Sequence, residues 1–246
     1  MPAIKVLTIN IHKGFTIFNR RFILKELRDA VRTIGADIVL LQEVMGESLL
    51  RAHSLPDWPN NAHYEFLADT IWPHFAYGRN AVYPQGHHGN ALLSKLPITQ
   101  YQNLDITAQG DEQRGLLHST IQTDAGTLHV ICVHFGLREA HRKAQLNLLC
   151  NAIVEHVPSG APLIVGGDFN DWRQQIHRPL IQRTGLTEVF IDTFGKAAKT
   201  FPAHWPLLCL DRIYIRDAQL HRPMVLPRRP WSHLSDHVPL LAELQF

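Results

Sequence analysis

Cysteine is scarce in this chain of 246 residues: Cys132, Cys150 and Cys209 are the whole supply. Three widely separated thiols exclude a disulfide scaffold and a Cys-ligated zinc module, and they fit a reducing compartment. Long apolar runs are also missing. No stretch approaches the roughly 18 consecutive apolar residues that a membrane-spanning helix needs. The opening "MPAIKVLTINIHKG" lacks the basic and apolar regions of a secretory leader, so the reading is a cytoplasmic protein without a membrane span. Charge of either sign is weak, at a formal +2, which leaves no electrostatic case for nucleic acid from composition alone. Low-complexity tracts, long linkers and short-period repeats are absent too, so a single domain over 1–246 is expected, as a monomer.

What the chain has is a 45% hydrophobic content, enough for a large core, and 16 histidines. Lys5 to Ile11 reads as a central strand. Phe22, Ile23, Leu27, Ala30, Val31 and Ile34 recur at helical spacing up to Gly35, and "ADIVLLQEV" reads as a second strand. Residues 51–88, rich in Pro, Asn, His and Trp, read as loops around one helix. That segment places His87 and His88 in a Gly-flanked loop. "GNALLSKLPI", "GLLHSTIQT" and "TLHVICVHFG" read as strands. In the last, Leu128, Val130, Cys132 and His134 share one face and His129, Ile131 and Val133 the other. "REAHRKAQLNLLCNAIVEHV" reads as a helix with Ala144, Leu148 and Ile153 on one stripe. A strand at 163–165, "LDRIYIR" and "DHVPLLAELQF" complete the pattern.

Polar residues of one chemical type recur at the strand ends. Asn10 and Glu43 end the first two strands, and His134 ends the strand before the long helix. Asp168 and Asn170 follow "LIVGG", Asp211 opens "LDRIYIR", and Asp236–His237 open the last strand. One polar strand end is ordinary turn chemistry, an Asx turn or a cap. Carboxylates and amides together suit Mg²⁺, with Mn²⁺ as a substitute, and the histidines suit proton transfer or phosphate contact.

The ordered motifs "LTINIH", "LLQEV", "GNALLSKLPI", "VHF", "VGGDFND", "LDRIYI" and "SDHVPL" resemble the endonuclease/exonuclease/phosphatase superfamily over residues 5 to 243. The resemblance implies an α/β fold, a four-layer sandwich of two packed mixed sheets flanked by helices, with the site at one end of the sheets. It implies Glu43, with Asp236 and Asn10, as the metal side. His134, Asp168, Asn170, Asp211 and His237 become the catalytic set: Asp168 activates water, Asn170, His134 and His237 hold phosphoryl oxygens, and Asp211 orients His237. Arg114, His12, Lys13 and Asn90 are candidates for substrate contact. In this reading Gly166 and Gly167 let the strand end turn sharply, so that Asp168 and Asn170 face a phosphate.

The activity so implied is Mg²⁺-dependent hydrolysis of a phosphoester. Arg114 and the basic stretch "PRRPW", with Arg228 and Arg229, favour nucleic acid over a phospholipid headgroup. The tryptophan of the inositol phosphatase signature is missing from "PLLCLDRIY". A silent phosphate-binding protein is the alternative of another class. The presence of every motif residue argues against it.

Overall fold

Two mixed sheets of six strands pack face to face in the computed structural model, which describes residues 3–108 and 112–246. Along the chain run β1 (Ile4–Asn10), α1 (Leu24–Ile34), β2 (Ile38–Ser48), α2 (Leu49–Ser54), α3 (His63–Ala68), β3 (His74–Tyr83), β4 (Gly86–Ser94) and β5 (Ile98–Asp105). Then follow β6 (Gly115–Thr123), β7 (Gly126–His134), α4 (Glu139–His156), β8 (Leu163–Asp168), α5 (His177–Thr184), β9 (Thr187–Glu188) and α6 (Val189–Phe194). The chain closes with β10 (Asp211–Arg216), β11 (Gln219–Val225), the single turn α7 (Arg228–Trp231) and β12 (Leu240–Gln245). The strand orders are β11-β12-β1-β2-β4-β3 and β5-β6-β7-β8-β10-β9.

Two crossovers decide where the polar strand ends go. β1 pairs parallel with β2 across α1, and β7 pairs parallel with β8 across α4. A parallel pair brings both carboxyl ends to the same edge of its sheet. Asn10 therefore lies opposite Gln42, and His134 opposite Asp168. β12 and β10 run antiparallel to β1 and β8, so they begin where those strands end.

The alternation along the strands builds the layers. Val6, Leu40, Leu92, Val130, Ile164 and Ile213 meet between the sheets. Leu7, Ile9 and Leu41 pack outward on Leu24, Leu27 and Val31 of α1. Ile131, Val133 and Val165 pack outward on Leu146, Leu149 and Ile153 of α4. Gly35 ends α1 in the left-handed conformation, φ 67°, that glycine adopts without a Cβ clash. The four-layer sandwich is what the motif resemblance implies.

The differences lie where the pattern is weak. Residues 51–88 hold α2, α3, β3 and the start of β4, because β3 is an edge strand with few buried positions and no clean alternation. His87 and His88 are strand residues paired with β2, not loop residues. β5, β11, α5 and α6 are likewise elements that periodicity does not announce. In α4 the buried stripe is Leu146, Leu149, Cys150 and Ile153, whereas Ala144 and Leu148 face solvent. Arg142 and Gln145 fix that rotation, since they are buried to donate to Gly136 O and to accept from Gly136 N–H.

Candidate active site

Where β1, β2, β7, β8 and β10 converge, Asp168 is the hub. Its Oδ2 accepts from Asn10 Nδ2 at 3.2 Å and lies 3.6 Å from His134 Nε2 and 3.8 Å from His237 Nε2. Its Oδ1 accepts the Asn170 N–H at 2.9 Å. The Asx turn and the functional cluster are thus the same structure. The second imidazole nitrogen of His237 bonds Asp211 Oδ2 at 2.7 Å. Asp211 stands opposite Asp168 in the β8–β10 register. His134, Asp168, Asp211 and His237 are all buried.

Gly166 and Gly167 do not form the expected turn, for β8 continues to Asp168. Close approach explains them instead. A Cβ on Gly167 would meet Val133 O at 2.0 Å, with φ at +142°, and one on Gly166 would meet Leu40 Cδ1 at 2.7 Å. At Gly167 only glycine lets β8 lie this near β7, whereas a side chain at Gly166 would have to push the end of Leu40 aside in the opposite sheet.

Glu43 is not a strand end either: β2 runs on to Ser48, and the ladder shifts register between Leu41 and Val44. Glu43 sits in that bulge with φ 56°, and His12, Lys13 and Asn170 also carry positive φ, at 45°, 56° and 49°. Such backbone is costly for residues with a Cβ, and it gathers at the convergence point. Nothing in the sequence signals it at His12, Lys13 or Glu43. Sequence reasoning also passes over Ser235. Its hydroxyl donates to Asn10 O at 2.6 Å and accepts the His237 N–H at 3.1 Å, tying the end of β1 to the histidine. Its visible signal is its place in "SDHVPL".

The charges separate into two groups. Burial disfavours a charged His237, but Asp211 and Asp168 outweigh it and push the imidazolium up to about 10. Burial raises Asp168 to about 6, with Asp211 adding to the rise and His237 opposing it. His134 is held well below the usual histidine range by burial and by Arg114. In the second group Glu43 is brought down to about 2: burial opposes this, and His134, Lys13 and His12 overcome it. Burial likewise opposes a charged Asp236, and the His12 hydrogen bond still brings it below the usual range. Lys13 Nζ lies 3.5 Å from Glu43 Oε2, and His12 Nδ1 3.2 Å from Asp236 Oδ2.

A divalent cation suits these donors. Among the described residues Asp168, Asp211 and His237 are close enough to share one ion. A histidine that keeps its proton offers no lone pair, however, and that argues for the other side. There Glu43 and Asp236 are hard carboxylate oxygens faced by Lys13 and His12, and Asn10 donates its Nδ2 to Glu43 Oε1 at 3.4 Å while its Oδ1 accepts the His12 N–H at 3.0 Å. Of the candidate substrate contacts, His12 and Lys13 line this side. Arg114 reaches Phe135 O at 3.4 Å and pairs with Glu112 at 2.7 Å. Asn90 is fully buried, and its amide donates to Gly115 O and Cys132 O, joining the sheets behind His134. Asn170 Nδ2 donates to Phe135 O. Arg228 and Arg229 are exposed on the turn before Ser235.

Known proteins repeat both the sequence and the architecture. The protein YbhP of Escherichia coli K12 is 57% identical over 244 residues, covering 98% of this chain and 96% of its own length. An endonuclease/exonuclease/phosphatase from Beutenbergia cavernae superposes with a TM-score of 0.78 at 18% identity, over 100% of this chain and 72% of that one. Danio rerio TDP2, solved with a single-strand DNA product, superposes at 0.73 with 15% identity over 99% of both chains. The model of the endonuclease/exonuclease/phosphatase family matches residues 7–237, a span from the middle of β1 to the histidine that Asp211 holds, and this chain belongs to that family.

Proposed function

We propose that the protein is a Mg²⁺-dependent phosphodiesterase acting on nucleic acid, a monomer of the reducing cytoplasm. One observation carries the catalytic part: Asn10, His134 and His237 all converge on Asp168 Oδ2, while Asp211 holds the far side of His237. A carboxylate raised to about 6 is a competent base near neutrality, and one held charged by two histidines would not be. Asp168 takes the proton of the attacking water, and Asn10 fixes the carboxylate's rotation while it does so. The imidazolium of His237 faces the phosphoryl oxygens and stabilises the charge that builds on them. His134, neutral, and Asn170 hold the same oxygens from the other side.

Glu43, Asp236 and Asn10 would hold the cation. Bound there, it draws negative charge from the phosphoryl oxygens and lowers the pKa of water. The nucleic-acid part rests on Arg114 beside His134, on Arg228–Arg229 next to "SDHVPL", and on the likeness to a fold that holds a DNA product in TDP2.

Purified protein with Mg²⁺ should cleave bis-p-nitrophenyl phosphate, and EDTA should stop it. A panel of plasmid, single-stranded DNA, RNA, sphingomyelin and inositol phosphates should show turnover of a nucleic acid with affinity that falls as salt rises, because Lys and Arg contacts release counterions. A flat salt response with a detergent requirement points to a lipid. No turnover of any phosphoester leaves the silent binding protein.

A further inference from the structure

Far from the site just described, three histidines border a second cavity. His134 ends β7, but His129 lies five residues earlier on the same strand, so it sits at the opposite end. It also belongs to the other face, the one that α4 covers with Leu146 and Ile153. α4 stops at His156, short of the sheet edge, and leaves a cavity of about 780 Å³ over β5, β6 and β7. His118, His129, His156, Gln102 and Glu155 line it.

The donors are arranged in a particular way. His118 Nε2 and His129 Nδ1 face one another at 3.0 Å, and the other nitrogen of His118 meets Gln102 Nε2 at 3.3 Å. The His156 ring lies nearly parallel to that of His118, with centroids 6.3 Å apart. Its side chain, 26% exposed beside Glu155, borders the cavity and must turn inward to join the other two. We propose that His118, His129 and His156 form a second metal site, for a borderline transition cation such as Zn²⁺ or Ni²⁺.

Two physical arguments support the choice. In a tetrahedral site with bonds of about 2.0–2.1 Å, ligand nitrogens stand about 3.4 Å apart, so the facing pair needs to open by only a few tenths of an ångström. An ion there takes a lone pair from each facing nitrogen: the proton between them moves to the remote nitrogen of its own ring, on His118 the Nδ1 where Gln102 turns its amide oxygen to accept it, and His156 swings in as the third ligand, with water or Glu155 as the fourth. Finally, α4 is an 18-residue helix whose negative end points to this cavity, which favours a cation there. Arg216 is the opposing charge acting on His129, and its guanidinium is engaged by Thr184 O, Pro158 O and Ala161 O. Three imidazole nitrogens select against Mg²⁺, so Mg²⁺ does not compete for this site.

The test is calorimetric titration of the full chain with Zn²⁺ in excess Mg²⁺, a readout independent of turnover. Wild type should bind one equivalent that the variant Glu43→Gln/Asp236→Asn retains. His129→Asn should abolish that equivalent, and His156→Ala, at a partly exposed helix end where folding is not at stake, should weaken it at least tenfold. With Co²⁺ as the probe, the visible spectrum of a tetrahedral nitrogen site should appear and vanish in the same variants. Binding lost with Glu43 and Asp236, or unchanged in His156→Ala, overturns the proposal. So does a wild type that takes up no Zn²⁺.

Discussion

Asp211 and Arg212 are consecutive residues of β10, both buried, and the pleat sends them to opposite faces. Asp211 shares the inner face with Ile213 and grips His237. Arg212 shares the outer face with Tyr214, where its guanidinium donates to Asp171 O at 2.8 Å and Cys209 O at 3.2 Å. Asp171 in turn accepts the N–H groups of Gln175 and Ile176, which pins the loop after Asp168–Asn170. Two buried acid–cation clusters thus stand back to back across one strand. One ends in a histidine turned toward a carboxylate of about 6, a group that gains and loses a proton near neutrality. The other ends in backbone carbonyls and amides, and it stabilises a loop. Residue type and burial do not set the two clusters apart; the partner of each charge does, and in the proposed function only the first is catalytic.

Asp168→Asn should break the proposed catalytic cluster most severely. It keeps the shape and removes the base, so kcat should fall roughly 10³-fold, within the range for a lost general base. The urea midpoint should hardly move. Turnover of bis-p-nitrophenyl phosphate alongside a denaturation curve checks both, and substantial residual activity would place the base elsewhere. Arg212→Met should do the opposite. Removing one partner from a buried charge cluster costs about 3 kcal/mol of unfolding free energy. Whatever protein remains folded should keep most of its kcat. If Arg212→Met abolishes turnover in fully folded protein, the contrast between the two faces fails.

The legibility of the two clusters differs for the same reason. Asp168, Asn170, Asp211 and His237 are readable because they sit in short motifs at the ends of apolar runs, and the chain order of those motifs is informative. The four-layer arrangement is legible only through the family resemblance those motifs carry, since the pattern of strands and helices by itself gives no more than mixed strands with covering helices. Arg212 carries no such signal: "LDRIYIR" gives a charged residue in a strand, which is ordinarily solvent-facing. The positive φ at Glu43, His12 and Lys13 is equally silent: at Glu43 it belongs to the bulge in β2, and at His12 and Lys13 to the tight turn after β1, neither of which local preference announces. The edge strands β3, β5 and β11 escape because they bury little, and periodicity reports only burial.

Asp211→Asn sharpens the comparison at intermediate magnitude. Asp211 touches no reacting atom in this reading; it positions His237 and keeps it charged. Loss of the carboxylate should lower kcat roughly 10²-fold, the scale for one weakened transition-state donor. The pH profile separates this from a merely structural effect. His237 must be protonated to act, and its pKa is raised to about 10 in part by Asp211, so its loss lets the proton go earlier. The alkaline limb should therefore move to lower pH. The acid limb, set by Asp168, should also move down, because a negative neighbour that raises its pKa has been removed. A uniform loss of rate with both limbs unmoved would make Asp211 a structural residue like Arg212.

The smallest expected effect is on metal requirement. Glu43 is ionised down to about 2 and lies 3.5 Å from Lys13 Nζ, so a cation arriving there must displace or share with an ammonium. Glu43→Gln keeps the volume and one acceptor oxygen but removes the charge. Half-activation should then need roughly tenfold more Mg²⁺, equivalent to about 1.4 kcal/mol of binding. kcat at saturating Mg²⁺ should fall much less than in Asp168→Asn, since the base and the imidazolium are intact. Lys13→Met provides the converse. With the competing ammonium gone, the carboxylate is free for the cation, and half-activation should occur at lower Mg²⁺ than in wild type. If Lys13 also grips the substrate, KM rises in that variant while its metal requirement still falls, because the two contacts use the same nitrogen at different steps. An unchanged Mg²⁺ requirement in both variants would move the cation to Asp168 and Asp211, and His237 would then have to be the neutral ligand that its two carboxylate neighbours disfavour.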